Sequence, residues 1–289
     1  MSSNSEQVWT VLSMLEWATD FFDERGVQNP RLSIEWLLAY VLDINRLDLY
    51  LKFDRPLSTS ELDQLRPLVK RRSLHEPLQH LTGSTDFLNC TIHVNKDVLI
   101  PRTETEQLVE LVLTQHSNSE SLNVLDIGTG SGCIPIALKK ARPNWSCTGI
   151  DISPEALKTS SHNAQFNDVD VTFLEADLNT LAQNKEITEK KWDIVISNPP
   201  YITQSEKSEL DPQVLNFEPK LALFHDEPLK LYRVISEFAS LFGAKLFLEC
   251  NDKFAEEIRD ITVSFYQSAE LLKDYDENNR FVIAQNTVK

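Results

Sequence analysis

Short apolar runs and helical segments alternate through the second half of the chain, and this alternation constrains the fold more than any other feature. A connection that passes through a helix joins parallel strands, so the pattern predicts a mostly parallel sheet with helices on both faces. The predicted strands lie at residues 123–127, 146–151, 171–174, 192–197, 244–249 and 280–285, with a seventh near 262–266. The predicted helices lie at residues 132–142, 154–166, 228–242 and 252–260. The predicted fold class is therefore α/β.

The first part of the chain has a different periodicity. Apolar residues recur at helical spacing up to about residue 80, and Gly26 and Pro30 are typical of helix ends. Shorter β-type segments then predict a hairpin. Thr103 and Glu106 have the spacing of a capping box at the start of the next helix. The predicted domains are a helical domain at 1–83, a β-hairpin linker at 84–104 and a parallel-sheet domain at 105–289.

A glycine loop follows the first predicted strand. Three of the chain's 7 glycines fall in the stretch Gly128-Thr129-Gly130-Ser131-Gly132. Glycines at this spacing let the backbone turn tightly and approach a bound molecule. Cys133 stands where a dinucleotide fingerprint needs its third glycine. The loop is not a P-loop either, because no Gly-Lys-Ser/Thr follows it.

Acidic residues are expected at the ends of the strands around this loop. Asp151 ends the second predicted strand, where a carboxylate takes ribose hydroxyls in nucleotide-type sites. Its alternative role is a helix cap before Pro154. Asp177-Leu178 is expected beside an adenine ring, and Asp126 would fix the loop or reach a ligand ammonium. No basic residue stands in the loop to meet a pyrophosphate, so the set predicts a nucleoside cofactor such as S-adenosylmethionine.

The fourth predicted strand stops at the motif Asn198-Pro199-Pro200-Tyr201. Two prolines cannot donate to a sheet, so the strand must end in a stiff turn. The carboxyl ends of parallel strands are where open α/β sheets bind ligands. The motif would hold an amide, a rigid carbonyl and an aromatic ring at such an end. The alternative is a simple turn, which is what Asn-Pro usually forms; the glycine loop upstream disfavours it.

Composition restricts the classes of function. The net charge of -16 argues against sequence-independent binding of nucleic acid, which needs a basic surface. The cysteines and histidines show no metal-binding spacing, so no metal is expected. No signal-peptide pattern and no apolar run of membrane-spanning length are visible. We therefore expect a cytoplasmic protein with no membrane association and no direct nucleic acid partner.

The motifs together resemble those of a known enzyme class. The glycine loop, Asp151 and the Asn-Pro-Pro-Tyr motif resemble a class I (Rossmann-like) S-adenosylmethionine-dependent methyltransferase, whose sheet has seven strands. More specifically, the chain resembles the HemK/PrmC family, the peptide chain release factor N5-glutamine methyltransferases. The stretches that carry this resemblance include Glu76-Pro77-Leu78-Gln79, Ile100-Pro101-Arg102, Glu104-Thr105-Glu106 and Phe217-Glu218-Pro219. The chain departs from the family pattern at Thr103, at residues 224–228 and at Cys250-Asn251.

The resemblance implies a reaction, a partner and roles for individual residues. A methyl group would pass from S-adenosylmethionine to the side-chain amide nitrogen of the glutamine in the Gly-Gly-Gln motif of a release factor, leaving S-adenosylhomocysteine. The cofactor would be bound by Gly128, Thr129, Gly130, Ser131, Gly132, Asp151, Leu178 and Asn198. The acceptor glutamine would be held by Asn198, Pro199, Pro200 and Tyr201, of which Asn198, Pro199 and Tyr201 would be catalytic. The N-terminal helices would engage the release factor.

Two other functions compete with this interpretation. Asn-Pro-Pro-Tyr is shared with N-methyltransferases that act on an exocyclic amine of a DNA or RNA base. That function predicts a basic surface and aromatic platforms for a flipped base, which the acidic composition disfavours. The second competitor is a non-catalytic assembly module. The intact loop, Asp151 and Asn198 disfavour it, because such residues have little structural use together.

Overall fold

The structure, a computed structural model, describes residues 8–286 and divides them into two compact units. One unit consists of residues 8–83 with Asp211–Phe217, and the other of Ser84–Leu210 with residues 218–286. The helices are α1 (Val11–Asp23), α2 (Pro30–Leu42), α3 (Thr59–Arg72), α4 (Leu78–Thr82), α5 (Thr103–Thr114), α6 (Cys133–Ala141), α7 (Pro154–Phe166), α8 (Lys185–Thr188), α9 (Pro212–Phe217), α10 (Lys220–Leu223), α11 (Pro228–Ser240) and α12 (Ala255–Val263). The strands are β1 (Ser84–Phe87), β2 (Cys90–His93), β3 (Asn123–Ile127), β4 (Ser146–Asp151), β5 (Thr172–Glu175), β6 (Ile194–Ser197), β7 (Lys245–Glu249), β8 (Ser268–Lys273) and β9 (Asn279–Gln285).

The larger unit is built on a seven-stranded sheet in the order β5-β4-β3-β6-β7-β9-β8. The first five strands in this order are parallel, and β9 and β8 add antiparallel pairs at one edge. The middle strands are buried on both faces: Ile194 and Ile196 of β6 pack in one core with α5, α6 and α7, and Val195 packs in the other with α11 and α12. This explains their continuous apolar sequence. The predicted Rossmann-like class is confirmed.

The seventh strand was predicted at the wrong place. Residues 262–266 end α12 and enter a turn, and the strand β8 begins at Ser268. Ile258 and Thr262 are both buried one helical turn apart, so packing of this face keeps the β-branched residues in a helix. The predicted helix at 252–260 accordingly starts later, at Ala255, after a 3₁₀ turn at Asp252–Phe254. Tertiary contacts outweighed local β propensity here.

The predicted hairpin forms from β1 and β2, and the predicted capping box does not. Helix α5 follows Arg102, which makes no side-chain cap, and Glu106 instead accepts the Leu88 N–H at 2.7 Å in the hairpin turn. The side-chain amides of Asn163 on α7 and of Asn167 at its C-cap exchange hydrogen bonds with the backbone of His93 and Thr91, respectively. Two amides therefore pair with β2 as a neighbouring strand would.

The smaller unit is helical. Helices α1 to α4 enclose their own apolar core, which includes Leu15, Phe22, Leu37 and Leu65. Helix α1 begins with a hydrogen bond from the Ser13 N–H to the Thr10 hydroxyl, and α3 begins with the same arrangement at Ser58 and Glu61. Helix α2 starts at Pro30 as expected, although Asn29 makes no side-chain cap.

A segment that the sequence placed in the sheet domain belongs to this helical unit. Asp211–Phe217, which contains α9, groups with residues 8–83. The guanidinium of Arg72, 4% exposed, donates to the Gln213 side chain at 3.2 Å and to the Ser33 hydroxyl at 3.1 Å. Gln28 donates to Asp211. Polar contacts between residues more than a hundred positions apart therefore join this segment to the helical unit. The local sequence pattern could not predict them.

Candidate active site

A cavity of about 390 Å³ opens at the carboxyl ends of β3, β4 and β6. This volume lies within the range of small-ligand pockets. The sequence-predicted residues that line it are Gly128, Gly130, Asp151, Leu178, Asn198, Pro199 and Pro200. Thr129, Ser131, Gly132 and Tyr201 do not line it. The structure thus brings two distant motifs to one cavity and divides the glycine loop.

The structure shows why glycine is required at each of the three positions of the loop. Gly128 and Gly130 have φ of +76° and +53°, and a Cβ at either would meet nothing within 4 Å. Their requirement is backbone conformation beside the cavity. A Cβ on Gly132 would lie 2.8 Å from the Ser160 Cβ and 3.1 Å from Phe173. Gly132, whose φ is +79°, is therefore needed both for its backbone conformation and for packing between α6, α7 and β5.

A further glycine, Gly149, is required by the packing of Thr129, and the sequence analysis did not single it out. Thr129 is buried, and a Cβ on Gly149 of β4 would lie 2.5 Å from its hydroxyl oxygen. Gly149 therefore leaves room for the loop to lie on β4. Its φ is not in the left-handed region, so its requirement is close approach alone. The only sequence signal was an isolated glycine in a strand.

Asp151 braces the glycine loop. Its Oδ2 accepts the Gly130 N–H and its Oδ1 accepts the Ser153 N–H, both at 2.9 Å. The cap of α7 is Ser153, whose hydroxyl accepts the Ala156 N–H at 3.2 Å. The helix-cap alternative for Asp151 is therefore wrong. Each carboxylate oxygen keeps further acceptor capacity, and Asp151 lines the cavity.

The charge around the cavity is mainly negative. The carboxylates that line it are Asp97, Asp151, Glu155 and Asp177, against the single ammonium of Lys96. Asp126 lies on β3 just before Gly128; it is fully buried and does not line the cavity, and neither of its carboxyl oxygens has a hydrogen-bond partner. Burial raises the pKa of Asp126 to about 7, against a lowering effect of the nearby Thr129 side chain, and the negative charge of Asp151 raises it further. The site suits a ligand with positive charge.

Asn198 is held by a hydrogen-bonded chain of side chains. Its Nδ2 donates to the Thr105 hydroxyl oxygen at 3.1 Å, and that hydroxyl donates to Glu249 Oε2 at 2.7 Å. Thr105 and Glu249 are 3% and 1% exposed. Sequence reasoning included Thr105 only in a family-like stretch and did not connect it with Glu249. No local pattern could have joined them.

Tyr201 lies on the core side of the motif. Its ring packs against the cluster that contains Tyr232 and Leu248. Burial, together with the charge of Glu249, raises its pKa well above the usual value. Its predicted contact with the acceptor amide stays a prediction.

The far wall of the cavity was not foreseen. It comprises Leu221, Ala222, Phe224 and His225, and backbone pairing of Ile202 with Leu223 and His225 holds this segment in place. The sequence marked this region only as a departure from the family pattern. Its apolar residues are too few to show a periodicity.

Comparisons with known proteins bear on this geometry. The family model for the PrmC N-terminal domain matches residues 13–83, and that for the methyltransferase small domain matches residues 103–216. A release factor glutamine methyltransferase of Leptospira interrogans is 37% identical over 282 residues, which are 95% of this chain and 97% of that protein. One from Geobacter sulfurreducens is 38% identical over 230 residues, 79% of this chain and 78% of that protein.

Solved structures agree in fold. The hMettl16 catalytic domain in complex with the MAT2A 3'UTR hairpin 6 has a TM-score of 0.54 at 15% identity, covering 73% of this chain and 80% of that one. A T. thermophilus 16S rRNA methyltransferase (RsmC) in complex with AdoMet and guanosine has a TM-score of 0.50 at 16% identity. That match covers 71% of this chain and 50% of the other. At such identities these structures show the fold alone.

The sheet order, the glycine loop and the cavity at the strand ends define a Rossmann-like methyltransferase. Within that class, the chain belongs to the release factor glutamine methyltransferase family and is an enzyme. Among residues 8–286, no helix combines the length and apolarity that crossing a membrane requires. In the same part of the chain, no group of three or more His, Cys, Asp or Glu side chains is arranged to hold a metal ion.

Proposed function

We propose that this protein transfers a methyl group from S-adenosylmethionine to the side-chain amide nitrogen of the glutamine in the Gly-Gly-Gln motif of a release factor. The observation that carries the proposal is the placement of Asn198 beside the glycine-loop cavity, with its amide nitrogen already engaged by Thr105. This arrangement leaves the Asn198 Oδ1 to accept a hydrogen bond from an incoming amide.

The residues around the cavity fit the proposed methyl donor. Gly128 and Gly130 let the backbone approach a bound molecule, and the Asp151 carboxylate suits ribose hydroxyls. Asp126 precedes the cavity residues Ile127 and Gly128 in sequence and supplies a buried carboxyl without a partner, to which we assign the ammonium of the ligand. Four carboxylates against Lys96 favour a cationic ligand over a phosphorylated one. When bound, S-adenosylmethionine supplies an electrophilic methyl group on a sulfonium.

Asn198 and Pro199 would prepare the acceptor. A primary amide is a poor nucleophile because its nitrogen lone pair is delocalised into the carbonyl. The Asn198 Oδ1 and the Pro199 carbonyl would accept the two N–H hydrogens and so orient the nitrogen toward the methyl group. Both groups are acceptors rather than general bases, so the proton would leave the nitrogen after transfer. The product cofactor would be S-adenosylhomocysteine.

The helical unit would engage the release factor. Trp36 and Tyr40 on α2 are 43% and 53% exposed, and Tyr50 and Leu51 after it are 48% and 86% exposed. Exposed aromatic and apolar groups of this size are typical of protein-binding surfaces. We place the reaction in the cytoplasm, which is consistent with four free, buried cysteines.

A methyl-transfer assay tests the proposal against its rival. Labelled S-adenosylmethionine is offered with a purified release factor, with the same factor lacking the Gly-Gly-Gln glutamine, and with a nucleic acid mixture. We expect label in the first alone. Label in nucleic acid alone would move the protein to the base-methylating class, which the net charge of -16 disfavours.

The variant Asn198→Ala tests the division of roles within the site. We expect transfer to fall by about 10²–10³-fold, the size seen when one charge-stabilising hydrogen-bond group is removed. Donor affinity, measured by calorimetry, should stay within about threefold, because the other cavity residues hold the donor. Asn123→Ala, at the opposite end of the sheet, is the matched control and should be unchanged. Loss of donor binding in Asn198→Ala would contradict the assignment.

A further inference from the structure

Two buried side chains beyond the Asn-Pro-Pro-Tyr motif control the orientation of Asn198. Asn198 Nδ2 donates to Thr105 Oγ1, and the Thr105 hydroxyl donates to Glu249 Oε2. These residues come from three places: the loop after β6, the first turn of α5 and the end of β7. Neither Thr105 nor Glu249 lines the cavity, so each acts through Asn198.

The direction of each hydrogen bond follows from the groups involved. An ionised carboxylate only accepts, so the single hydrogen of the Thr105 hydroxyl must point at Glu249. The Thr105 oxygen can then only accept from its other neighbour. The group that Asn198 turns toward Thr105 must therefore be its NH₂, and its Oδ1 must turn the other way. A carboxylate thus determines the orientation of an amide two hydrogen bonds away.

We propose that Thr105 and Glu249 are positioning residues that keep the Asn198 oxygen, rather than its NH₂ group, directed at the acceptor glutamine. The proposal rests on the proposed function, since it assumes that Asn198 receives that glutamine. An asparagine amide turned by 180° would present donors to the donors of the substrate amide and could not hold it. Both orientations have nearly the same shape, so packing alone cannot choose between them.

The surroundings of Glu249 make this control sensitive to pH. Burial raises the pKa of Glu249 to about 7, against the hydrogen bond from Thr105 and the charges of Arg280 and Arg102. Glu104 lies near in α5 and raises it further, and Tyr201, Tyr232 and Cys250 are neutral neighbours on the other elements around it. A protonated Glu249 could donate to Thr105 and release the hydroxyl hydrogen toward Asn198. The preference for the productive amide orientation would then be lost.

Thr105→Val and Thr105→Ser provide the test. Valine has the shape of threonine without the hydroxyl, so kcat with both substrates saturating should fall about tenfold, the size expected of one lost hydrogen bond. The KM for the release factor and the Kd for S-adenosylmethionine should stay within about threefold. Serine keeps the hydroxyl and should restore most of the activity. Thr262→Val removes a hydroxyl that is equally buried but bonded to Ile258 and Ser236, and it should leave kcat unchanged.

Glu249→Gln adds a pH readout that a purely structural role would not give. Glutamine both donates and accepts, so kcat should be lowered and its decline below about pH 7 should disappear. The wild type should keep that decline. Circular dichroism and melting temperature establish that each variant is folded.

The outcomes separate this inference from the proposed function. Wild-type kcat in folded Thr105→Val, or an equal loss in Thr105→Ser, would overturn the positioning role. So would an unchanged pH profile in Glu249→Gln. Full activity in Asn198→Ala would contradict the proposed function of the motif itself, whatever the result for Thr105→Val. Loss of activity in both Asn198→Ala and Thr105→Val, with most of the activity kept in Thr105→Ser, would support both the proposed function and the positioning role.

Discussion

Two buried carboxylates, Glu35 in the helical unit and Asp126 in the sheet unit, have opposite surroundings. In the helical unit, Glu35 is 2% exposed and receives hydrogen bonds from Arg31 at 3.0 Å, Arg46 at 2.7 Å and Tyr50 at 2.7 Å. Burial raises its pKa, but the hydrogen bonds from Tyr50, Arg46 and Arg31 outweigh burial and leave the pKa lowered. In the sheet unit, Asp126 has no partner, and its pKa is raised to about 7.

The difference between Glu35 and Asp126 is whether the protein itself compensates the desolvation of the carboxylate. Arg31, Arg46 and Tyr50 compensate the desolvation of Glu35, so its charge stabilises the fold around it. Asp126 lacks such compensation in the protein alone and costs stability when ionised. A buried group without a partner is expected where a ligand supplies the missing contact. The buried carboxyl of Asp126, with no charged partner, is therefore the group that we propose would meet the ammonium of a ligand.

The largest expected effect is on the affinity for the methyl donor. In Asp126→Asn the carboxylate that would meet the donor's ammonium is lost, so the Kd for S-adenosylmethionine should rise about 100-fold, as for a removed charged hydrogen bond. Calorimetric titration measures this. Asp193→Asn, at the opposite end of β3 where its carboxylate accepts the Asn123 N–H, is the control and should bind normally. Unchanged affinity in Asp126→Asn would contradict the proposal that the Asp126 carboxylate meets the ammonium of the donor.

A smaller effect is expected on stability when the structural carboxylate is removed. Glu35→Ala should lower the free energy of unfolding of the helical unit by about 2–3 kcal/mol, because three donors lose their acceptor. The two arginines are partly exposed, which lets water solvate them and limits the loss. Urea unfolding followed by tryptophan fluorescence gives the value. Asp63→Ala breaks an exposed ion pair with Arg66 and should cost less than about 0.5 kcal/mol.

The smallest expected effect is a difference in pH dependence. The folded-state pKa of Asp126 lies above its unfolded value, so the folded state binds the extra proton and stability falls as pH rises from about 4 to about 7. Glu35, with a lowered pKa, contributes stability that is lost as pH falls through the acid range. Without ligand, the stability advantage of Asp126→Asn over the wild type should therefore grow by about 2 kcal/mol between pH 5 and pH 8. Melting curves between pH 5 and 8 that stay parallel would contradict this.

Much of the fold followed from local sequence. Six of the seven predicted strands lie within a few residues of their predicted places, because continuous β-branched runs between helical segments suit a doubly covered sheet. The seventh strand was misplaced because residues 261–263 have β-type side chains but pack as a helix. The capping box at Thr103 was wrong because Glu106 found a partner in the hairpin. At both places, a contact with a distant segment outweighed the local propensity from which the prediction was made.

Local residue types dictate where the backbone must turn. Glycines after β3 and prolines after β6 impose local conformations that do not depend on distant contacts. The position of the cavity at these strand ends could therefore be predicted from the sequence. The tertiary structure alone decided which polar atoms have partners. Thr105 meets Glu249 across 144 positions, and the Asp126 carboxyl meets no charged partner that would compensate its burial. Hydrogen-bond direction and desolvation depend on atoms brought together from separate elements, so the orientation of Asn198 and the pKa of Asp126 arise only in the folded chain.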